Sequence, residues 1–238
     1  MNYKLIKEKV DEIFNGAYDW KFESDNTVKY NGKVIPLAFW RHKHRLLATR
    51  NLTTVDKLLK RVCSYKSERF EKASSCVFEM LRQELDALEW LLDEKITSIY
   101  AIEKNEVTIM AIVKTNNDTL CQINVAATLA EDTKPIIKHE FGGEEGMASD
   151  RTINEQVPVE AIYVFNKEDK YPKTYTDIDF GMLGLTEDEV VLADSVAAIF
   201  LNENAIDEYL EIDARSRFLL EKAKEALKTG ETIVLEEA

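Results

Sequence analysis

Glycine is scarce in this sequence. Its 238 residues include only eight, and none form a G-x-G-x-x-G run. That excludes the tight turn through which a dinucleotide pyrophosphate approaches a helix N-terminus. Cysteine is equally sparse: Cys63, Cys76 and Cys121 make an odd set with no C-x-x-C pair. This argues against a disulfide framework and for a reducing compartment. Cys76 and Cys121 sit in apolar patterns and read as small core residues. Positive charge is in deficit, with 31 Lys and Arg against 44 Asp and Glu and a formal net charge of -13. Such a chain repels phosphate backbones and anionic lipid surfaces, so neither nucleic acid nor membrane is expected as a partner. No run approaches the ~18 apolar residues of a membrane span. The first ten residues hold no apolar signal core. Together these features predict a cytoplasmic protein.

What is present suits a globular chain: 45% hydrophobic and 32% charged residues. Tyr3, Ile6, Val10, Ile13 and Phe14 fall at helical spacing, and Asn15-Gly16 ends that helix. Turn signals at Asp25-Asn26 and Asn31-Gly32 predict a small hairpin over residues 20–33, followed by a short strand from Val34 carrying Pro36. Thr53 or Thr54 is placed to cap a helix holding Val55, Leu58, Leu59 and Val62. The longest helix is predicted over residues 73–93. From residue 96 the period changes to that of strands, at residues 96–102, 107–113, 120–129, 136–141 and 161–165. Asn116-Asn117-Asp118 and Gly142-Gly143-Glu144-Glu145-Gly146 supply tight connections. Helices follow over residues 187–200 and 212–227, then a short strand at residues 232–235. The expected fold class is α+β: a predominantly antiparallel open sheet with helices packed on one face, preceded by a short helical and hairpin segment. The expected division is residues 1–72 and 73–238.

At 100° per residue, the helix over residues 73–93 gathers Val77, Met80, Leu81, Leu85, Leu88, Leu91 and Leu92 on one face. Glu79, Gln83, Asp86 and Trp90 cluster on the other. That second arc reads either as a solvated polar face or as a site face. Glu84 falls among the leucines. It either snorkels outward or is a buried carboxylate needing a partner such as Arg82 or a backbone donor. The basic run Arg41-His42-Lys43-His44-Arg45 reads as a solvated turn and helix face, or as a site for an anion or an acidic partner. His42 and His44 lack a nearby third metal ligand, and no metal is expected. His139, on a predicted strand, reads as structural.

The segment Gln83-Glu84-Leu85-Asp86-Ala87-Leu88-Glu89-Trp90-Leu91-Leu92, followed by Ile96-Thr97-Ser98-Ile99-Tyr100-Ala101, is similar to a passage of the glucose–fructose oxidoreductase/inositol dehydrogenase/MocA family. There D-x-G-x-H-x-x-D runs into an aliphatic helix ending in W-L-L, and a V-x-S-V-x-A strand follows. Residues 107–113, the Asn116-Asn117-Asp118 turn, Glu140-Phe141-Gly142-Gly143-Glu144-Glu145-Gly146 and residues 220–235 resemble the family's later elements in order. The resemblance covers residues 75–238. It implies the family's C-terminal substrate-binding and oligomerisation domain, without its N-terminal nucleotide domain. It sets Gln83 where the family's catalytic histidine stands, Glu79 and Asp86 at the flanking aspartates, and Leu81 at the glycine. Glutamine does not titrate near neutral pH and cannot shuttle a proton. The family's E-K-P lysine motif is also absent.

The expected function is therefore a non-catalytic binding or assembly protein using no cofactor. Glu79, Gln83, Asp86 and Trp90 form its candidate remnant ligand site, suited to a sugar-like small molecule. A homodimer through the face of the sheet of residues 96–165 is expected, because a sheet with helices on one side leaves the other needing cover. Two alternatives stand beside this reading. One is a subunit that completes a separate dehydrogenase chain in trans. The other is an enzyme with new cofactor-free chemistry, using Glu79 and Asp86 as paired carboxylates.

Overall fold

The computed structural model describes residues 1–150, 161–167, 173–176, 185–202 and 204–235. The chain divides into two compact units, residues 1–47 with 178–215 and residues 48–177 with 216–238.

In the first unit, α1 (Tyr3–Ile13) starts at Asn2, whose side chain accepts from the Leu5 amide, and buries Ile6 and Val10. The predicted hairpin is a three-stranded antiparallel meander of β1 (Trp20–Ser24), β2 (Thr27–Tyr30) and β3 (Lys33–Pro36). Asn31 and Gly32 both take positive φ, 50° and 75°, as a two-residue turn matched to strand twist requires. A 3-10 turn follows at Phe39–His42, then α2 (His44–Arg50), whose last residues belong to the second unit. Helix α4 (Glu187–Leu201) opens on a capping box between Thr186 and Glu189. Phe200 near its end stacks on Tyr18 at 4.2 Å between ring centroids and meets Phe14 and Tyr30 edge-on. His42 lies 2.7 Å from the Tyr209 hydroxyl, which donates to the Ser195 carbonyl at 3.0 Å. With that hydroxyl proton committed, His42 presents Nε2–H to the tyrosine oxygen. Among the described residues, no group of three or more His, Cys, Asp or Glu could hold a metal ion.

The second unit carries the main sheet. Among the described residues its nine strands run β11-β10-β9-β8-β4-β7-β6-β5-β12. In chain order these are β4 (Val62–Lys72), β5 (Ile96–Lys104), β6 (Thr108–Thr115), β7 (Leu120–Leu129), β8 (Ile136–Gly143), β9 (Gly146–Ser149), β10 (Ala161–Asn166), β11 (Lys173–Thr176) and β12 (Ile233–Val234). Every pair is antiparallel except β4 with β7. Helix α3 (Val77–Leu92) packs on one face, against β4, β6 and β7. The later turns of α5 (Ala205–Thr229) bury Leu219, Leu220, Ala223 and Ala226. The fold is thus α+β, as expected, with a largely antiparallel sheet and helices on one side.

Three local expectations are corrected. The helix proposed for residues 53–62 is a single wide π turn at Asn51–Val55, and Val62 begins β4. That central strand escapes a hydrophobic pattern because it is polar on both faces. Tyr65, Ser67 and Arg69 are buried on one side, while Ser64, Lys66 and Glu68 alternate on the other. Helix α3 begins at Val77, four residues later than expected, and ends where Asp93 turns left-handed with φ 56°. Cys76 is exposed at its N-cap position, and only Cys121 of the two expected core cysteines is buried. Among the described residues no helix is long and apolar enough to cross a membrane.

Candidate functional site

Helix α3 is buried almost all round, including Arg82, Gln83, Glu84, Asp86 and Glu89. The arc opposite the leucines is therefore not a solvated face: Gln83 is 4% exposed and Asp86 1%. Burial of so many polar groups is tolerable only if they satisfy one another. Arg69 on β4 donates Nη1–H to the Gln83 side-chain oxygen at 2.8 Å. Gln83 in turn donates its amide to Glu79 at 3.0 Å. Arg82 holds Glu79 in a two-pronged contact at 2.6 and 2.8 Å, and its third nitrogen donates to the Ser216 hydroxyl at 2.7 Å. Burial pushes the Glu79 carboxyl upward, but Arg82, joined by Gln83, outweighs it and leaves the group below the usual range.

Glu84 has partners other than the expected Arg82. Ser67 donates to one carboxylate oxygen, and Arg69 approaches the other at 3.4 Å. His139 on β8 stands 3.4 Å from Glu84 through Nε2 and 3.2 Å from Asp150 through Nδ1. Asp150 also accepts from the His139 backbone N–H, and its own N–H reaches back to the His139 carbonyl. The imidazole thus lies between two buried carboxylates. Burial alone would lower its pKa, but Asp150 and Glu84 raise it to about 9. Burial would lift Glu84, but His139, Arg69 and Ser67 bring it down to about 2. The stable species is an imidazolium between two carboxylates. His139 is buried on its strand, 2% exposed, with both ring nitrogens facing carboxylates.

The structure joins Glu79 to Gln83 directly. Trp90 lies elsewhere on the helix, its ring 5.4 Å beneath the Arg50 guanidinium, which also donates to the Trp90 carbonyl. Ser67, Arg69 and Asp150 were not singled out from the sequence. The usable signal was parity: Ser67 and Arg69 share the inward register of Tyr65, and His139 that of Phe141. An ionisable residue at a core-facing position needs a buried partner.

Tyr65 is fully buried beside this cluster, and its hydroxyl has no hydrogen-bond partner among the described residues. Removing an unpaired polar atom relieves a desolvation cost. Tyr65→Phe is therefore expected to leave the urea midpoint unchanged or higher; a clear fall would reveal a bond to that hydroxyl.

A trough of about 360 Å³ lies on the opposite face of the sheet, away from all four candidate residues. Its walls include Lys66, Ile112, Leu120, Gln122, Glu140 and Met147. Strand register explains its shape. Leu120, Ser64, Gly142 and Met147 lie side by side on β7, β4, β8 and β9, so the profile runs large, small, none, large. A Cβ at Gly142 would come within 2.6 Å of the Ser64 hydroxyl, filling the floor.

No protein-family model matches the chain, and no curated protein matches it in sequence. Solved structures do share its fold, and they include inositol and sugar dehydrogenases. A provisionally assigned oxidoreductase from Thermotoga maritima superposes with a TM-score of 0.66 at 10% identity, covering 84% of this chain and 63% of its own. Scyllo-inositol dehydrogenase from Lactobacillus casei, solved with NAD(H) and scyllo-inositol, gives 0.60 at 16% identity, covering 83% and 63%. Levoglucosan dehydrogenase, in complex with NADH and levoglucosan, gives 0.63 at 12% identity, covering 84% and 66%. The chain spans less than two thirds of the length of each. The likeness agrees with the family resemblance in the sequence, and at these identities it is a likeness of fold.

Proposed function

We propose that this chain is a non-catalytic binding and assembly protein built on the substrate-binding and oligomerisation fold of a sugar-type oxidoreductase, and that the open face of its sheet is the working surface. One observation carries the reading. Two of the groups that the family resemblance sets around the acid/base position, Glu79 and Gln83, are engaged with each other and with Arg82 and Arg69. Gln83 has no titrating proton to give. Glu79, its carboxyl held low by Arg82, is a poor proton carrier near neutral pH. That also weighs against cofactor-free acid/base chemistry by Glu79. The opposite face of the sheet presents Ile112 and Leu120 to solvent at 41% and 60% exposure.

Calorimetric titration of the protein with NAD, NADP and scyllo-inositol tests the catalytic side of this reading. No heat of binding is expected at micromolar cofactor, and Gln83→His is expected to gain no oxidoreductase activity. Micromolar affinity for either dinucleotide would overturn the proposal. Activity appearing only on mixing with a separate dehydrogenase chain would instead support the reading in which this subunit completes a partner in trans.

A further inference from the structure

We infer that the trough on the open face binds a small primary ammonium ion with a compact apolar body, its charge held by Glu140. This rests on the reading of that face as the working surface and names a ligand class for it.

The charges on this face leave one group over. On the outward side of β4 and β8, Lys66 lies opposite Glu140 and Glu68 opposite Lys138. Two lysines and two glutamates would balance if each pair closed across the strands. Neither does. Lys66 turns along its own strand to Glu68 at 2.7 Å, and Lys138 donates to the Asp150 carbonyl at 3.1 Å. Among the described residues the Glu140 side chain has no hydrogen bond or ion pair, although it is half-buried in the wall of the trough. A partly desolvated carboxylate without a donor is costly, and a cation entering the trough relieves that cost.

Two neutral acceptors stand near it. The Ser64 hydroxyl lies over Gly142, 2.6 Å from where a Cβ would stand. It too has no hydrogen-bond partner among the described residues. Gln122 sits beside Lys66 on β7 and directs its amide nitrogen to Met110 and Asn124, at 3.8 and 3.4 Å. Its side-chain oxygen accepts no bond among the described residues. Adjacent strands β8, β4 and β7 thus offer a carboxylate, a hydroxyl and an amide oxygen. A primary ammonium carries three N–H donors and no acceptor, so it matches this set in number and in sign. An anion would meet Glu140 with Lys66 already engaged, and a neutral polyol would leave the carboxylate charge uncompensated. The apolar body has its own walls in Ile112, Leu120 and Met147. At about 360 Å³ the trough lies at the small end of ligand pockets, which sets the body as compact. The chain's net charge of -13 favours the approach of any cation from a distance.

Calorimetric titration of the full chain at low salt provides the test, with 2-phenylethylamine as the probe and 2-phenylethanol as its uncharged counterpart of similar shape. The amine is expected to bind one site with a Kd of roughly 0.1–1 mM, as suits so small a ligand. The alcohol is expected to bind at least about tenfold more weakly. Glu140→Gln should weaken the amine by at least about tenfold, the loss of one charged hydrogen bond, and Ser64→Ala by a few-fold. Glu231→Gln, at an exposed carboxylate beyond α5, should leave binding unchanged. Circular dichroism checks that each variant keeps its fold. Absence of binding at millimolar amine would overturn the inference. Equal binding by wild type and Glu140→Gln would place the amine elsewhere on the acidic surface and overturn it as well. An alcohol that binds as tightly as the amine would make the trough merely apolar and defeat the ammonium class. None of these failures touches the non-catalytic reading, which the dinucleotide titration decides separately.

Discussion

Replacing Glu84 with leucine is expected to cost about 3–5 kcal/mol of folding stability, the range found when one member of a buried ion pair is removed. The substitution nearly conserves volume, so it opens little cavity. What it removes is the acceptor shared by Ser67, Arg69 and His139. Arg69 and His139 then stay inside the fold with one carboxylate fewer between them, and desolvated charge without compensation is the costly outcome. Urea titration reads the effect as a lower midpoint at constant slope. A loss below about 1 kcal/mol would place Glu84 among surface-type ion pairs and contradict its burial. The contrast with a fully apolar replacement is instructive. Changing Arg69, Glu84, His139 and Asp150 together to well-packed apolar residues should recover much of the loss, because the desolvation burden then disappears with all four charges.

This cluster also marks where the sequence stops being legible. The strands β5 to β8 and helices α3 and α4 are legible because their apolar residues come in runs or at regular spacing between turn and cap signals. Strand β4 is not. Ser67 and Arg69 occupy core-facing positions, so the alternation carries no hydrophobic contrast, and the centre of the sheet goes unread. Its parallel pairing with β7 is a long-range choice that no local turn signals. Strands β9 and β11, of four residues each, are too short for a period to show.

The polar arc of α3 was legible in direction and misread in environment. Periodicity gives the angle of Gln83 and Asp86 about the helix axis, whereas solvent exposure depends on what other elements cover. Glu84 carried the better clue: a carboxylate at a leucine angle demands a cation, and Arg69 and His139 lie on strands whose neighbours in space no spacing rule supplies. The family resemblance, resting on the order of weak motifs, agrees with the fold of the dehydrogenases that superpose on this chain.

Stability is expected to fall as pH rises from 6.5 toward 9, through His139. Its folded pKa lies above its unfolded value, raised from 6.5 to about 9 although burial opposes the shift. The native state therefore holds a proton that the unfolded chain has released within this window. The stabilisation is complete below pH 6.5 and disappears as the pH passes the folded value. A shift of that size corresponds to about 3 kcal/mol. Glu84 sets the opposite limit. Its folded pKa is lowered from 4.5 to about 2 by His139, Arg69 and Ser67, against the effect of burial. Its contribution is present above pH 4.5 and lost as pH falls toward 2. Between those limits, from about pH 5 to about pH 6.5, both contributions are complete and the cluster should confer a plateau. Burial raises the Tyr65 and Cys121 values, so neither titrates in the alkaline window to obscure it. Urea midpoints of the wild type and of His139→Gln, measured in half-unit steps of pH, separate this effect from any other titration. The wild type should lose stability across the window while the variant, lower at the outset, stays nearly flat. Parallel curves would mean that His139 is neutral in the folded protein. The imidazolium bridge between Glu84 and Asp150 would then have to be replaced by a neutral imidazole donating to only one of them.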